Sequence, residues 1–218
     1  MGAGYQRDAV GESLDTSMVA PNQALCLDFA NTLSWRGGEP AESLHGFEEL
    51  KRWCLEVAIL SPPGAQRLQE WSARYPVKSA RLLVDALDLR EVIYRVFHAR
   101  ASACAPSDRD LELLNRALDR APGRGTLVRH GDKFGWRLTP RPIGAPGLLA
   151  PALWSAGDLL VGPQAARVRQ CGNQQCLWLF LDDSKNGSRR WCSMRYCGNR
   201  AKAQRHYQRS KGHAPTAE

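Results

Sequence analysis

Four cysteines near one end of the chain are spaced to hold a metal: Cys171-x4-Cys176, fifteen intervening residues, then Cys192-x4-Cys197. Two such pairs of thiolates form a tetrahedral cage for one Zn²⁺, and four protein ligands leave no open coordination position, so the expected ion is structural and not catalytic. The rival chemistry is a pair of local disulfides. The stretch Met1 to Met18 is polar and lacks the basic start and apolar run of a secretory signal, so the chain is expected in the reducing cytoplasm. There, clustered thiols favour metal over oxidation. Cys26, Cys54 and Cys104 stand singly in apolar contexts and read as core residues.

The second cysteine pair opens a basic segment, Cys192-Ser-Met-Arg-Tyr-Cys-Gly-Asn-Arg-Ala-Lys-Ala-Gln-Arg-His-Tyr-Gln-Arg209. Residues 164–213 hold 11 Lys and Arg against Asp182 and Asp183, whereas residues 1–163 hold 19 of each sign, so the net charge of +8 belongs to the cysteine region. A Zn(Cys)₄ centre would remove two charges and still leave a dense positive field suited to a polyanion such as DNA. On a helical projection Arg195, Asn199, Lys202, Arg205, His206 and Arg209 share one face. This is the expected nucleic-acid surface, with the cations on phosphates and Asn199 able to read an adenine edge. Arg200 falls away from that face. It is expected to bond the zinc thiolates or to pair with Asp182, with Trp191 packing in the small domain as a structural residue.

Positioning such a site requires a scaffold. With 218 residues, 43% hydrophobic and 24% charged, the chain fits one ordinary domain and one small one, and no apolar run approaches the roughly 20 residues of a membrane span. The expected fold is α+β and predominantly α. A leader without apolar pattern, expected to be disordered (1–20), precedes a helical domain (21–163), a small finger (164–212) and a flexible tail (213–218). Helical spacing predicts segments from a cap at Ser43 to Val57, around Leu68 and Trp71, from Ser79 to about Ala103, after a capping box at Ser107-Asp-Arg-Asp110, and from Leu148 to Val161. Thr126-Leu-Val-Arg-His and Lys133-Phe-Gly-Trp-Arg-Leu flank Gly131-Asp132 and predict a β-hairpin. In the finger, Leu177–Leu181 and Arg189–Trp191 read as two paired strands, followed by a helix capped by Ser193, a treble-clef-like arrangement.

The polar residues Asp28, Asn31, Thr32 and Trp35 follow i, i+3, i+4, i+7 spacing on an otherwise apolar segment. A buried helix must satisfy such groups, either by a salt bridge from Asp28 to an arginine such as Arg90 or Arg95, or as the wall of a ligand pocket. His98 and His130 have no partner legible in sequence.

Residues 171 to about 209 resemble the CGNR zinc finger, through Cys197-Gly-Asn-Arg200 together with Phe180, Asp182, Ser184, Arg189-Arg-Trp-Cys-Ser-Met194 and Lys202. Leu25-Cys-Leu-Asp-Phe-Ala-Asn-Thr-Leu33 is similar to the opening motif of the helical ABATE domain that precedes the finger in that bacterial family. The resemblance implies a stress-linked transcription regulator that binds DNA, with an N-terminal domain for sensing or dimerisation. Partners would then be DNA, a second copy in a homodimer and a small-molecule effector of unknown identity. RNA binding and a protein-interaction adaptor using the basic finger are the alternatives. No nucleophile, base and orienter can be assembled from these motifs, so an enzyme is not expected.

Overall fold

The computed structural model describes residues 13–14, 18–19, 24–130, 132–137 and 141–211; the side chains of residues 13, 14, 18, 19, 130, 133, 137, 141, 142, 205, 206 and 208–211 fall outside the description. The expected tail, and the leader apart from two dipeptides, also lie outside the described residues. Those dipeptides are short strands: β1 (Ser13–Leu14) and β2 (Met18–Val19).

Helix α1 (Leu25–Ala30) is buried at Leu25, Cys26, Leu27, Phe29 and Ala30, because its apolar residues run round the whole circumference and it must be enclosed. Strands β3 (Leu33–Ser34) and β4 (Ala41–Glu42) form a small hairpin after it. The chain then enters α2 (Phe47–Glu56) at Gly46, three residues later than the Ser43 cap. The backbone N–H of Ser43 is already spent on Thr32 O at 3.0 Å, which extends the hairpin and delays the helix. Pro62-Pro63, which by sequence would stop that helical segment, instead opens the next helix. Ser61 caps α3 (Pro62–Arg74), accepting from Gly64 N at 3.2 Å, and proline in a first helical turn forfeits no bond.

Helix α4 (Pro76–Ala101) is the spine of the molecule and packs against α1, α2 and α3. Its buried residues include Leu82, Ala86, Leu89, Ile93, Val96 and Phe97, as the periodicity predicts, and also the charged Arg90. Helix α5 (Asp108–Arg120) has the expected cap: Ser107 Oγ accepts from Asp110 N at 3.1 Å and donates to the Asp110 carboxylate at 2.8 Å. Strands β5 (Thr126–His130) and β6 (Lys133–Arg137) pair antiparallel from Thr126 opposite Arg137 to His130 opposite Lys133; the expected Leu138 lies outside the described residues. β2 joins the free side of β6, and β1 pairs with β7 (Arg141–Pro142). Helices α6 (Ala145–Leu148) and α7 (Ala150–Val161) then close the core beside α1 and α5.

A 3₁₀ turn, Pro163–Arg167, leads into β8 (Val168–Gln170) and β9 (Leu179–Leu181), which pair antiparallel. This corrects the expected pairing of Leu177–Leu181 with Arg189–Trp191. The first cysteine pair is itself the hairpin connection, and residues 189–191 run as an irregular loop held by side chains. Val168 and Leu179, each 1% exposed, belong to the same apolar core as α1 and α4. Burial of that face against the helices fixes which strand β9 pairs with. The chain continues through one π-helical turn, Met194–Gly198, into α8 (Asn199–Lys211). Ser193 holds the N-cap position of that turn, but its side chain makes no capping bond. Cys26 and Cys54 are fully buried, as expected, whereas Cys104 is exposed just beyond the end of α4. Among the described residues no helix is long and apolar enough to cross a membrane.

Candidate metal centre and nucleic-acid face

The turn between β8 and β9 carries Cys171 and Cys176, and the π-helical turn carries Cys197 with Cys192 just before it. Their sulfur atoms all lie within 4.8 Å of one another. Cys176 and Cys192 are 3.7 Å apart, and Cys192 and Cys197 3.8 Å. Zn–S bonds of about 2.3 Å in a tetrahedron require S···S separations of about 3.8 Å, so the cage already has the size of a Zn(Cys)₄ centre. Asn173 Nδ2 points to Cys197 Sγ at 3.6 Å, and the Cys171 N–H is bonded to Trp178 O at 2.8 Å. These bonds hold the ligands in place from behind.

The thiols titrate as one cluster. Hydrogen bonds from Cys176 and Cys192 favour the Cys171 thiolate and pull it down to about 2. Donation to that thiolate holds Cys176 up at about 12, and Cys192 is raised by both neighbours. Without a cation one sulfur ionises at the expense of the rest; a divalent ion at the centre reverses this and deprotonates all four. The cluster is a single structural zinc site.

Asp182 is fully buried and anchors the loop between the two cysteine pairs. It accepts from the Ser184 hydroxyl, from Ser184 N at 3.0 Å and from Arg189 N at 3.0 Å, and the Ser184 bond above all holds its carboxyl below the usual range. The Arg189 guanidinium donates to Trp191 O at 3.0 Å and to Cys192 O, and stacks over Phe180 at 4.8 Å. Trp191 is partly buried against the cysteine cluster. Trp178, by contrast, is 38% exposed.

Arg200 is placed differently from expectation. Neither Asp182 nor a sulfur is its partner; its guanidinium lies 5.0 Å over the ring of Trp35, in the helical domain. The Asp182 carboxylate is enclosed and taken up by donors of its own loop, whereas the aromatic face of Trp35 attracts the Arg200 cation. Arg195, Asn199 and Lys202 are exposed. Arg195 stacks on Tyr196 at 5.8 Å, and Asn199 Nδ2 donates to Arg195 O at 3.2 Å. Arg205, His206 and Arg209 follow on α8, but their side chains lie outside the described residues. The π-helical turn also means that Arg195 does not share the pitch of α8, so the single projection that grouped it with Lys202 does not hold across residue 198.

The polar stripe of α1 has another use than a ligand pocket. Asp28 is exposed, and the bonds of Arg90 and Arg95 go elsewhere. Arg90 makes a two-pronged pair with Glu42 at 2.6 and 2.8 Å, and Arg95 pairs with Asp110 at 2.6 Å. Asn31 is buried and bonds Leu179 twice, donating to its O at 2.8 Å and accepting from its N at 3.0 Å. Thr32 donates to Phe29 O and accepts from Arg90. Trp35, at a left-handed φ of 55°, packs against the cysteine cluster. Asn31 and Trp35 therefore dock the finger onto the helical domain.

A chain of charged and polar groups extends this seam. Arg36 grips Glu91 at 2.6 and 3.0 Å and lies 3.8 Å over Tyr94, whose hydroxyl donates to Leu177 O and accepts from Gln170, both at 3.2 Å. Burial disfavours ionised Glu42 and Glu91, but the Arg90 and Arg36 guanidinium groups outweigh it and hold both carboxyls below their ordinary values. No sequence signal links Tyr94 to Gln170 and Leu177, because the partners are some eighty residues apart.

Two family models match the chain. The ABATE model, described as "Putative stress-induced transcription regulator", matches residues 23–163, and the CGNR zinc finger model matches residues 167–210. Neither is an enzyme family. No curated protein matches the chain. The first match covers more than half of the sequence and the second covers the zinc cage with α8: the chain belongs to the ABATE family and carries a CGNR zinc finger.

Proposed function

We propose that the protein is a transcription regulator that binds DNA through the finger, with the helical domain fixing how α8 is presented. The observation that carries this reading is the charge division: 11 Lys and Arg face two carboxylates in residues 164–213, while residues 1–163 are neutral. Arg195 and Lys202 are exposed, as phosphate contacts must be. The π-helical turn adds the exposed Tyr196 beside Arg195, and α8 the exposed Tyr207, at 68% and 60%. For a surface of this kind, affinity comes from counterion release, and the slope of log K against log salt counts the phosphates engaged.

The Arg195→Ala/Lys202→Ala variant is expected to weaken duplex DNA binding about tenfold or more at moderate salt, to flatten the salt slope by about two units, and to retain its zinc. Fluorescence anisotropy across a salt series, with metal content measured alongside, checks this. An unchanged slope sinks the reading, and tighter binding to an RNA hairpin than to duplex DNA would assign the surface to RNA.

A further inference from the structure

The tip of the first cysteine hairpin and the first turns of α8 enclose a cleft of about 530 Å³. That volume falls in the range of small-molecule sites. Its lining includes Gln174, Gln175, Gln204, Trp191, Arg200 and Gly172 and, among the described residues, no Asp or Glu. The three glutamines are exposed, and among the described residues no other group engages their side-chain amides. Arg200 is held at the rim by Trp35, and Arg190 adds a second cation 5.5 Å over the Trp191 ring. A Cβ on Gly172 would sit 3.3 Å from the Trp191 ring and 3.2 Å from Arg190 O, so glycine lets the indole lie close against the hairpin and form one wall of the cleft.

Free carboxamides, an aromatic wall and guanidinium charge without carboxylates make a specific combination. Carboxamides match the adjacent donor and acceptor of an adenine edge, an indole covers the flat base, and guanidinium takes a phosphate. Asn199, the residue the sequence offers as an adenine reader, has a hydrogen of its amide committed to Arg195 O, whereas nothing among the described residues engages the glutamine amides.

We propose that this cleft receives an adenine nucleotide, with the base against Trp191 and the glutamine amides and the phosphate at Arg200. The occupant is either an unpaired adenine of a strand or the free nucleotide. The first source rests on the nucleic-acid reading above; the second does not.

The test uses the full zinc-loaded chain and isothermal titration with adenosine and cytidine monophosphate, a short oligodeoxyadenosine, the matching oligodeoxycytidine and a duplex. At least one adenine ligand is expected to bind about tenfold more tightly than its cytosine counterpart, the worth of one or two hydrogen bonds. Gln174→Ala/Gln204→Ala should remove that preference while leaving melting temperature, zinc content and duplex affinity unchanged. Preference for the mononucleotide identifies a free nucleotide as occupant, and preference only in the oligonucleotide identifies a strand; either supports the cleft. No adenine preference, or a preference that survives in the double variant, overturns it. The Arg195→Ala/Lys202→Ala variant reports separately on the DNA face, so that reading and the cleft can fail independently.

Discussion

Asn31 gives its amide N–H to Leu179 O and takes Leu179 N–H on its carbonyl, so one side chain acts as the missing strand beside β9. The two backbone groups are buried with it. Removing the amide leaves both without partners, and each such loss costs about 1–3 kcal/mol. Asn31→Leu is therefore expected to lower the free energy of unfolding by about 2–4 kcal/mol in urea titration, with zinc content retained. A loss below about 1 kcal/mol would show that water or a shift of β9 supplies the bonds instead. Asp182 plays the corresponding part inside the finger, where three donors converge on its carboxylate. Both residues are legible in sequence only as polar groups in apolar surroundings, which says that they have partners and not which ones.

At the scale of elements, the β3–β4 hairpin and the cysteine hairpin meet backbone to backbone. Gly37 N donates to Gln175 O at 3.2 Å, and a Cβ at Gly37 would lie 1.8 Å from Gln174 O. That atom belongs to the backbone, two residues before the zinc ligand Cys176, and cannot swing aside as a side chain would. Gly37→Ala is expected to push the two hairpins apart and to cost about 1–3 kcal/mol, the usual range for overpacking. Hydrogen exchange at Leu179 and Gln175 should accelerate while the α4–α5 contact stays protected. Unchanged exchange would mean that the β3–β4 loop yields without disturbing the finger. Helices α4 and α5 are readable from apolar periodicity and, for α5, from its Ser107 cap, whereas only the middle of α3 is legible, because its opening prolines equally suit a helix stop. The pairing of β9 is not. Leu179–Leu181 could pair with any nearby strand until burial of Val168 and Leu179 against α4 selects β8.

Across the whole molecule, the finger is part of the main core and not a bead on a linker. Val168 and Leu179 sit in that core, and Asn31, Trp35 and Tyr94 reach across to β9, Arg200 and the cysteine hairpin. The zinc cage is thereby linked to the stability of the helical domain, since metal bound only by the folded state stabilises whatever folds with it. Chelation of zinc is expected to lower the calorimetric transition of the entire chain by about 10 °C or more, as one cooperative shift. A helical-domain transition that stays at its original temperature would show that the seam transmits nothing.

The sequence by itself determined the metal chemistry, the placement of charge and the helical character of the first domain. Each follows from residue type at short spacing: thiols in pairs, cations in one segment, apolar residues at helical period. Only the tertiary structure decided that the polar stripe of α1 is a docking surface, that Arg200 rests on Trp35, and that three glutamines share a cleft with Trp191. The partners in those contacts are between 13 and 165 residues apart. Pairings at such range are set by how buried surfaces fit when the core closes, which composition and periodicity do not encode.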